Sequence, residues 1–177
     1  MTDERILEDR VDVRSLPKNG HPVRIEASAE QRAALAARNG IPGIEKLLAE
    51  LTVEHWSGDG YRVSGSIQAR AVQECVVTLE PVTTAIDEPI DVTFVPVGSS
   101  LAREDEGELV LDPEGDDPPE TFTPPYIEVG GLAEEMFALA LDPYPRAADA
   151  DLPDAATDTG NANPFAALAK LRTDGAS

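Results

Sequence analysis

One cysteine in 177 residues cannot close a disulfide or build a tetrahedral thiolate site within the chain. That excludes a stapled secreted scaffold and suits a reducing compartment. Aromatic residues are only 5% of the chain, so the core must rest on Val, Leu, Ile and Ala. No apolar run is long enough to span a membrane. The charged stretch Met1–Arg10 has no apolar segment of the secretory kind. The expectation is a cytoplasmic protein with no membrane partner. Histidines number two. His21 precedes a proline in a turn and His55 lies on a strand near Trp56. Neither accompanies a Gly-x-Ser-x-Gly or Cys–His signature, so no catalytic residue is expected. Cations are scarce as well: 14 Lys and Arg face 34 Asp and Glu, a net charge of −20. Residues 1–100 contribute −6 and residues 101–177 contribute −14. Such a chain repels nucleic acid at long range and attracts basic partners.

What is present reads as strands with a few helices. Val11, Val13 and Leu16, then Val23 and Ile25, suggest two short strands around the turn Pro17-Lys-Asn-Gly20. Ser28-Ala-Glu-Gln31 matches a capping box, and the Ala-rich run after it stops at Asn39-Gly40, so a short helix is expected there. A helical turn is expected around Ile44–Leu48. Alternation predicts strands over Leu47–Trp56 and Tyr61–Ala71, joined at Gly58-Asp-Gly60, with Gly65 marking a bend or bulge. Further strands are expected over Cys75–Leu79, ending at Pro81, and over Ile90–Pro96. Without crossover helices between them, these strands predict an α+β fold. Its sheet is mainly antiparallel or a partly closed barrel, with short helices packed at one face or end. The Arg62–Arg70 face should be the wet one.

Residues 99–120 carry nine carboxylates around Leu109-Val-Leu111 and read as a mobile acidic loop with one short strand. Tyr126–Val129 leads through Gly130-Gly131 to an amphipathic helix over Leu132–Leu141, with Glu134 and Glu135 near its positive end. Residues 147–162 lack the apolar content to order themselves. In 163–172 an Asn cap, Pro164 and the stripe Phe165, Leu168, Leu171 predict a short amphipathic helix ending in Lys170 and Arg172. The organisation expected is a domain over 1–146, a disordered linker over 147–162 and a helical motif over 163–172, the tail being acidic overall.

Few residues offer chemistry. Cys75 has Glu74 and Glu80 beside it, which would raise a thiol pKa, and reads as a small apolar strand residue. Asp112, Glu114 and Asp116 alternate as in a calcium loop. Gly115, however, comes too early, and Thr123 stands where a bidentate Glu belongs. Neither Gly58-Asp-Gly60 nor Gly130-Gly131 has the lysine or spacing of a phosphate loop. Arg62 and Arg70 could form a small anion-binding patch, with Tyr61 and Trp56 as stacking groups. No metal and no cofactor is expected.

Three segments together resemble one family: Gln73-Glu-Cys-Val-Val-Thr-Leu-Glu-Pro81, Leu132-Ala-Glu-Glu-Met-Phe-Ala-Leu-Ala-Leu-Asp-Pro-Tyr-Pro-Arg146 and Asn163-Pro-Phe-Ala-Ala-Leu-Ala-Lys-Leu-Arg172. In order and spacing they resemble the YceD family, in its alphaproteobacterial form. Cys75, Thr78, Glu80 and Pro81 fall on the family motif. The resemblance implies a role in accumulation of large-subunit ribosomal RNA. Many relatives carry Cys-x-x-Cys where this chain has Cys75-Val-Val-Thr78, and have been described as metal-binding. Here Thr78 replaces the second cysteine, which removes the chelating pair. Two readings follow. One is a non-enzymatic ribosome-biogenesis factor that binds a basic ribosomal protein or large-subunit assembly factor, direct RNA contact being left open. Glu104, Asp105, Glu106, Asp112, Glu114, Asp116 and Asp117 would steer that partner; Phe165, Leu168 and Leu171 would anchor it, unless they fold back on their own domain. The alternative is a metal-binding or thiol-dependent enzyme or redox domain centred on Cys75.

Overall fold

The computed structural model describes residues 5–102, 118–148 and 150. The acidic loop residues Glu104–Asp117, the island Leu109–Leu111 and the motif Phe165, Leu168 and Leu171 lie outside them.

Chain order begins with β1 (Val11–Asp12), a 3-10 turn over Val13–Ser15, β2 (His21–Glu26) and α1 (Ala29–Asn39). His21 is thus the first residue of a strand rather than part of the turn before it; Gly20 closes that turn by donating its N–H to the Pro17 carbonyl. α1 starts where the sequence says. The Gln31 N–H donates to the Ser28 hydroxyl at 3.2 Å, and the Ser28 N–H donates back to the Gln31 amide oxygen at 2.8 Å. Gly40, in the left-handed conformation, ends it.

Three long strands follow: β3 (Gly43–His55), β4 (Tyr61–Glu74) and β5 (Pro81–Pro96). The helical turn expected at Ile44–Leu48 is strand. Ile44 and Leu47 have helix-like spacing because the β3–β4 register shifts between Ile44 and Lys46. The extra residue of this bulge reverses side-chain parity, so Ile44 and Leu47 reach the same core three positions apart. Gly65, by contrast, marks no bulge, for the register runs unbroken through it on both sides. It has φ +151°, and a Cβ there would overlap the carbonyl oxygen of Glu50. The glycine allows the backbones of β3 and β4 to approach.

β6 (Glu120–Phe122), β7 (Tyr126–Ile127) and α2 (Val129–Leu139) complete the described chain. The main sheet has the order β2-β3-β4-β5-β6, antiparallel except for the β5–β6 pair. It is open, which decides against the partly closed barrel. β1 and β7 form a separate small sheet. Leu47, Ala49, Leu51 and Val53 of β3, with Val63, Ile67, Ala69 and Ala71 of β4, line one face. Leu35 of α1, Leu132, Ala133 and Phe137 of α2, and Leu7 from the N-terminal segment are buried in the same core. The other face is wet. There Arg62 makes a two-pronged bond to Asp91, Arg70 reaches Glu45 at 3.3 Å and Arg24 reaches Glu50 at 2.7 Å. Each arginine already has a carboxylate, which weakens the anion-binding patch expected there.

Helix α2 begins at Val129, so the glycine pair opens the helix instead of preceding it. Glu134 does not sit in solvent at a helix end. It is buried, its Oε1 accepts the N–H groups of Ile6 at 2.6 Å and Leu7 at 2.5 Å, and its Oε2 pairs with Arg38. One carboxylate thereby ties α1, α2 and the N-terminal segment together.

Candidate functional site

The family-motif residues form a turn. β4 ends at Glu74 and β5 starts at Pro81; Cys75–Glu80 connect them. This corrects the strand expected over Cys75–Leu79. The segment has strand-like composition, but its own backbone bonds close a loop. The Cys75 N–H donates to the Glu80 carbonyl at 2.8 Å, and the Leu79 N–H donates to the Cys75 carbonyl at 2.9 Å. Leu79 takes φ +61°, which strand geometry does not permit.

A strap from beyond α2 covers the turn. The Gln73 side-chain amide donates to the Asp142 carbonyl at 2.8 Å, the Val76 N–H to the Pro145 carbonyl at 2.9 Å, and the Ala147 N–H to Cys75 Sγ at 3.5 Å. Sequence reasoning missed this strap. Its signal was only the run Asp142-Pro-Tyr-Pro145, which reads as a helix stop.

Cys75 is completely buried. Its pKa is nevertheless lowered, from 9.0 to about 7. The Thr78 hydroxyl is the chief cause, followed by the backbone N–H groups of Ala147, Thr78 and Val77, which together outweigh desolvation. Glu74 and Glu80 therefore do not raise it, as the sequence had suggested. Adjacency along the chain misleads here, because the sulfur points inward at donors. A thiol with no accessible surface cannot attack a substrate in solution, whatever its charge.

The residues do not fit a metal either. Among the described residues no group of three or more His, Cys, Asp and Glu is arranged to hold an ion. Thr78 spends its hydroxyl on the sulfur as a hydrogen-bond donor, and a neutral hydroxyl is a poor substitute for a thiolate ligand.

Around the turn, apolar side chains are exposed beside Glu74, Thr78 and Glu80. Val76, Leu79 and Tyr144 are exposed there, Leu79 and Tyr144 at about 70%. A separate open groove of about 750 Å³ lies between the C-terminal end of α1, α2 and the β5–β6 end of the sheet. Phe94, Phe122 and Leu132 line its floor, and Arg5, Arg38, Glu120 and Glu135 are among its polar groups. Burial, then the nearby charge of Glu135, raises the Glu120 pKa.

Fold and turn together define a class: a small open-sheet α+β domain whose central hairpin buries a single thiol under a C-terminal strap. The chain belongs to the YceD family. The family's model, described as large ribosomal RNA subunit accumulation protein YceD, matches residues 63–172. The match begins in β4 and takes in the turn, β5, α2 and the strap. It ends at residue 172, the last residue of the Asn163–Arg172 segment. No curated protein and no solved structure matches the chain. No helix among the described residues is long and apolar enough to cross a membrane.

Proposed function

We propose that this protein is a non-enzymatic factor in building the large ribosomal subunit, and that it works by binding a basic ribosomal protein or assembly factor. The family match, which ties the chain to large-subunit ribosomal RNA accumulation, carries this reading. Two observations support the partner's chemistry. A net charge of −20 makes the protein a counterpart for cations and a poor one for phosphate. On the wet face, Arg24, Arg62 and Arg70 are already engaged by carboxylates. In this reading Glu104, Asp105, Glu106, Asp112, Glu114, Asp116 and Asp117 steer the partner, and Phe165, Leu168 and Leu171 anchor it as a helix in a groove. Shielding a basic protein until ribosomal RNA takes it over would then support RNA accumulation.

Affinity capture from lysate of the source cells at low and moderate salt tests the proposal. Large-subunit proteins or precursors should be recovered, with yield falling as salt rises. Recovery of the bait alone at every salt would sink it.

A further inference from the structure

The sheet ends unevenly. β5 pairs with β4 all the way from Pro81 to Phe94, but its other side meets β6 only over Phe94–Pro96. Among the described residues, the outer edge of 82–93 has no ladder partner. Strand parity identifies the groups that line it. Pro81 and Pro89 have no N–H to give β4, so odd-numbered residues are the ones turned away from that strand. Two bonds agree: the Glu80 carbonyl accepts from Cys75 on the β4 side, and the Val97 N–H donates to Phe122 on the β6 side. The N–H groups of Thr83, Ala85, Asp87, Asp91 and Thr93 therefore point outward.

A bare edge of this length is a template for another strand, and proteins guard such edges with charge and proline. Here Pro89 interrupts the donors. Asp87 and Asp91 project on the wet face and Glu88 on the opposite one, all three exposed. Among the described residues no cation pairs with Asp87 or Glu88, while Asp91 holds Arg62. A second copy would bring the same carboxylates edge to edge. The 103–117 segment carries eight carboxylates and one arginine, the same sign of charge as this edge. A cationic strand meets opposite charge on both of its faces.

We propose that the outer edge of β5, Thr83–Thr93, receives an extended basic segment of a partner protein, which adds to the sheet as a strand. Backbone hydrogen bonds supply affinity, and Asp87, Glu88 and Asp91 select for cations. This rests on the reading that the partner is basic, and it names the surface.

The test uses the full-length protein and a synthetic peptide of alternating lysine and threonine. Its counterpart has glutamine for lysine. Amide exchange of Thr83, Ala85, Asp87, Asp91 and Thr93 should be fast in the free protein and slow by about tenfold or more at saturating lysine peptide. Ala85→Pro, which removes an outward N–H without changing charge or the β4 ladder, should weaken that peptide about fivefold, the worth of one hydrogen bond. The glutamine peptide should bind more weakly, the gap closing as salt rises. Unchanged peptide affinity in a folded Ala85→Pro protein would overturn the proposal. So would protection of the outward amides before peptide is added, since a second copy or the chain itself would then hold the edge. If Ala85→Pro does not fold, the Asp87→Lys, Glu88→Lys double variant decides, and undiminished lysine-peptide binding counts against the edge. Capture of large-subunit proteins that survives Ala85→Pro removes this inference and leaves the proposed function standing. Absence of any capture removes the function while the peptide result stands alone.

Discussion

Cys75 and Glu134 show how little a residue's neighbours in sequence say about its surroundings. Cys75 is flanked by carboxylates yet ringed by donors, and its pKa falls to about 7 from 9.0. A depressed folded-state pKa means that the thiolate favours the folded form. This contribution is complete above about pH 9 and is lost as pH falls through about 7. Cys75→Ser should therefore flatten the rise in melting temperature between those values and leave the trend below them parallel to the parent. A parent that gains nothing over that window would contradict the assignment. Glu134 invites a dipole explanation from its place in the sequence, but it is buried, accepts two backbone N–H groups and pairs with the partly exposed Arg38. Truncating it strands those donors. Glu134→Ala should cost about 3 kcal/mol in urea unfolding, whereas Glu134→Gln, which keeps an acceptor, should cost less. Equal losses would show that charge alone matters at this position.

Among the elements, α1 was legible to the residue, because a capping box and a glycine stop are local devices that need no tertiary partner. The long strands were legible in type, since burial on one face leaves a period of two. The errors have a common cause. Ile44–Leu48 gave helical spacing because a bulge skipped a residue, and Cys75–Leu79 gave strand composition to a turn. In both places the pattern was set by pairing with a distant strand or strap. Gly65 stands out in the sequence as a glycine inside a strand, but its role does not, because a close approach between backbones leaves no trace in composition. Gly65→Ala should cost about 2 kcal/mol or more, read from the denaturant midpoint, as both the left-handed φ and the Glu50 carbonyl oppose a Cβ. A neutral substitution would mean that β3 and β4 can separate freely.

In the molecule as a whole, charge and shape divide the work. The carboxylate excess is concentrated beyond residue 100, and the packed core described here draws mainly on residues before it and on α2. If the segment with Phe165, Leu168 and Leu171 serves a partner, deleting residues 151–177 should leave the melting temperature unchanged and abolish capture of large-subunit proteins. A marked drop in melting temperature would mean instead that the segment docks on its own domain. Composition and motif determined by themselves that the protein is an acidic α+β domain of the YceD family without a cysteine pair, because charge, periodicity and residue identity are properties of the chain alone. Only the tertiary structure decided the rest. The thiol is buried and hydrogen-bonded, Glu134 is an internal tie, and among the described residues β5 keeps an open edge, because each depends on which distant backbone groups arrive beside it and which do not.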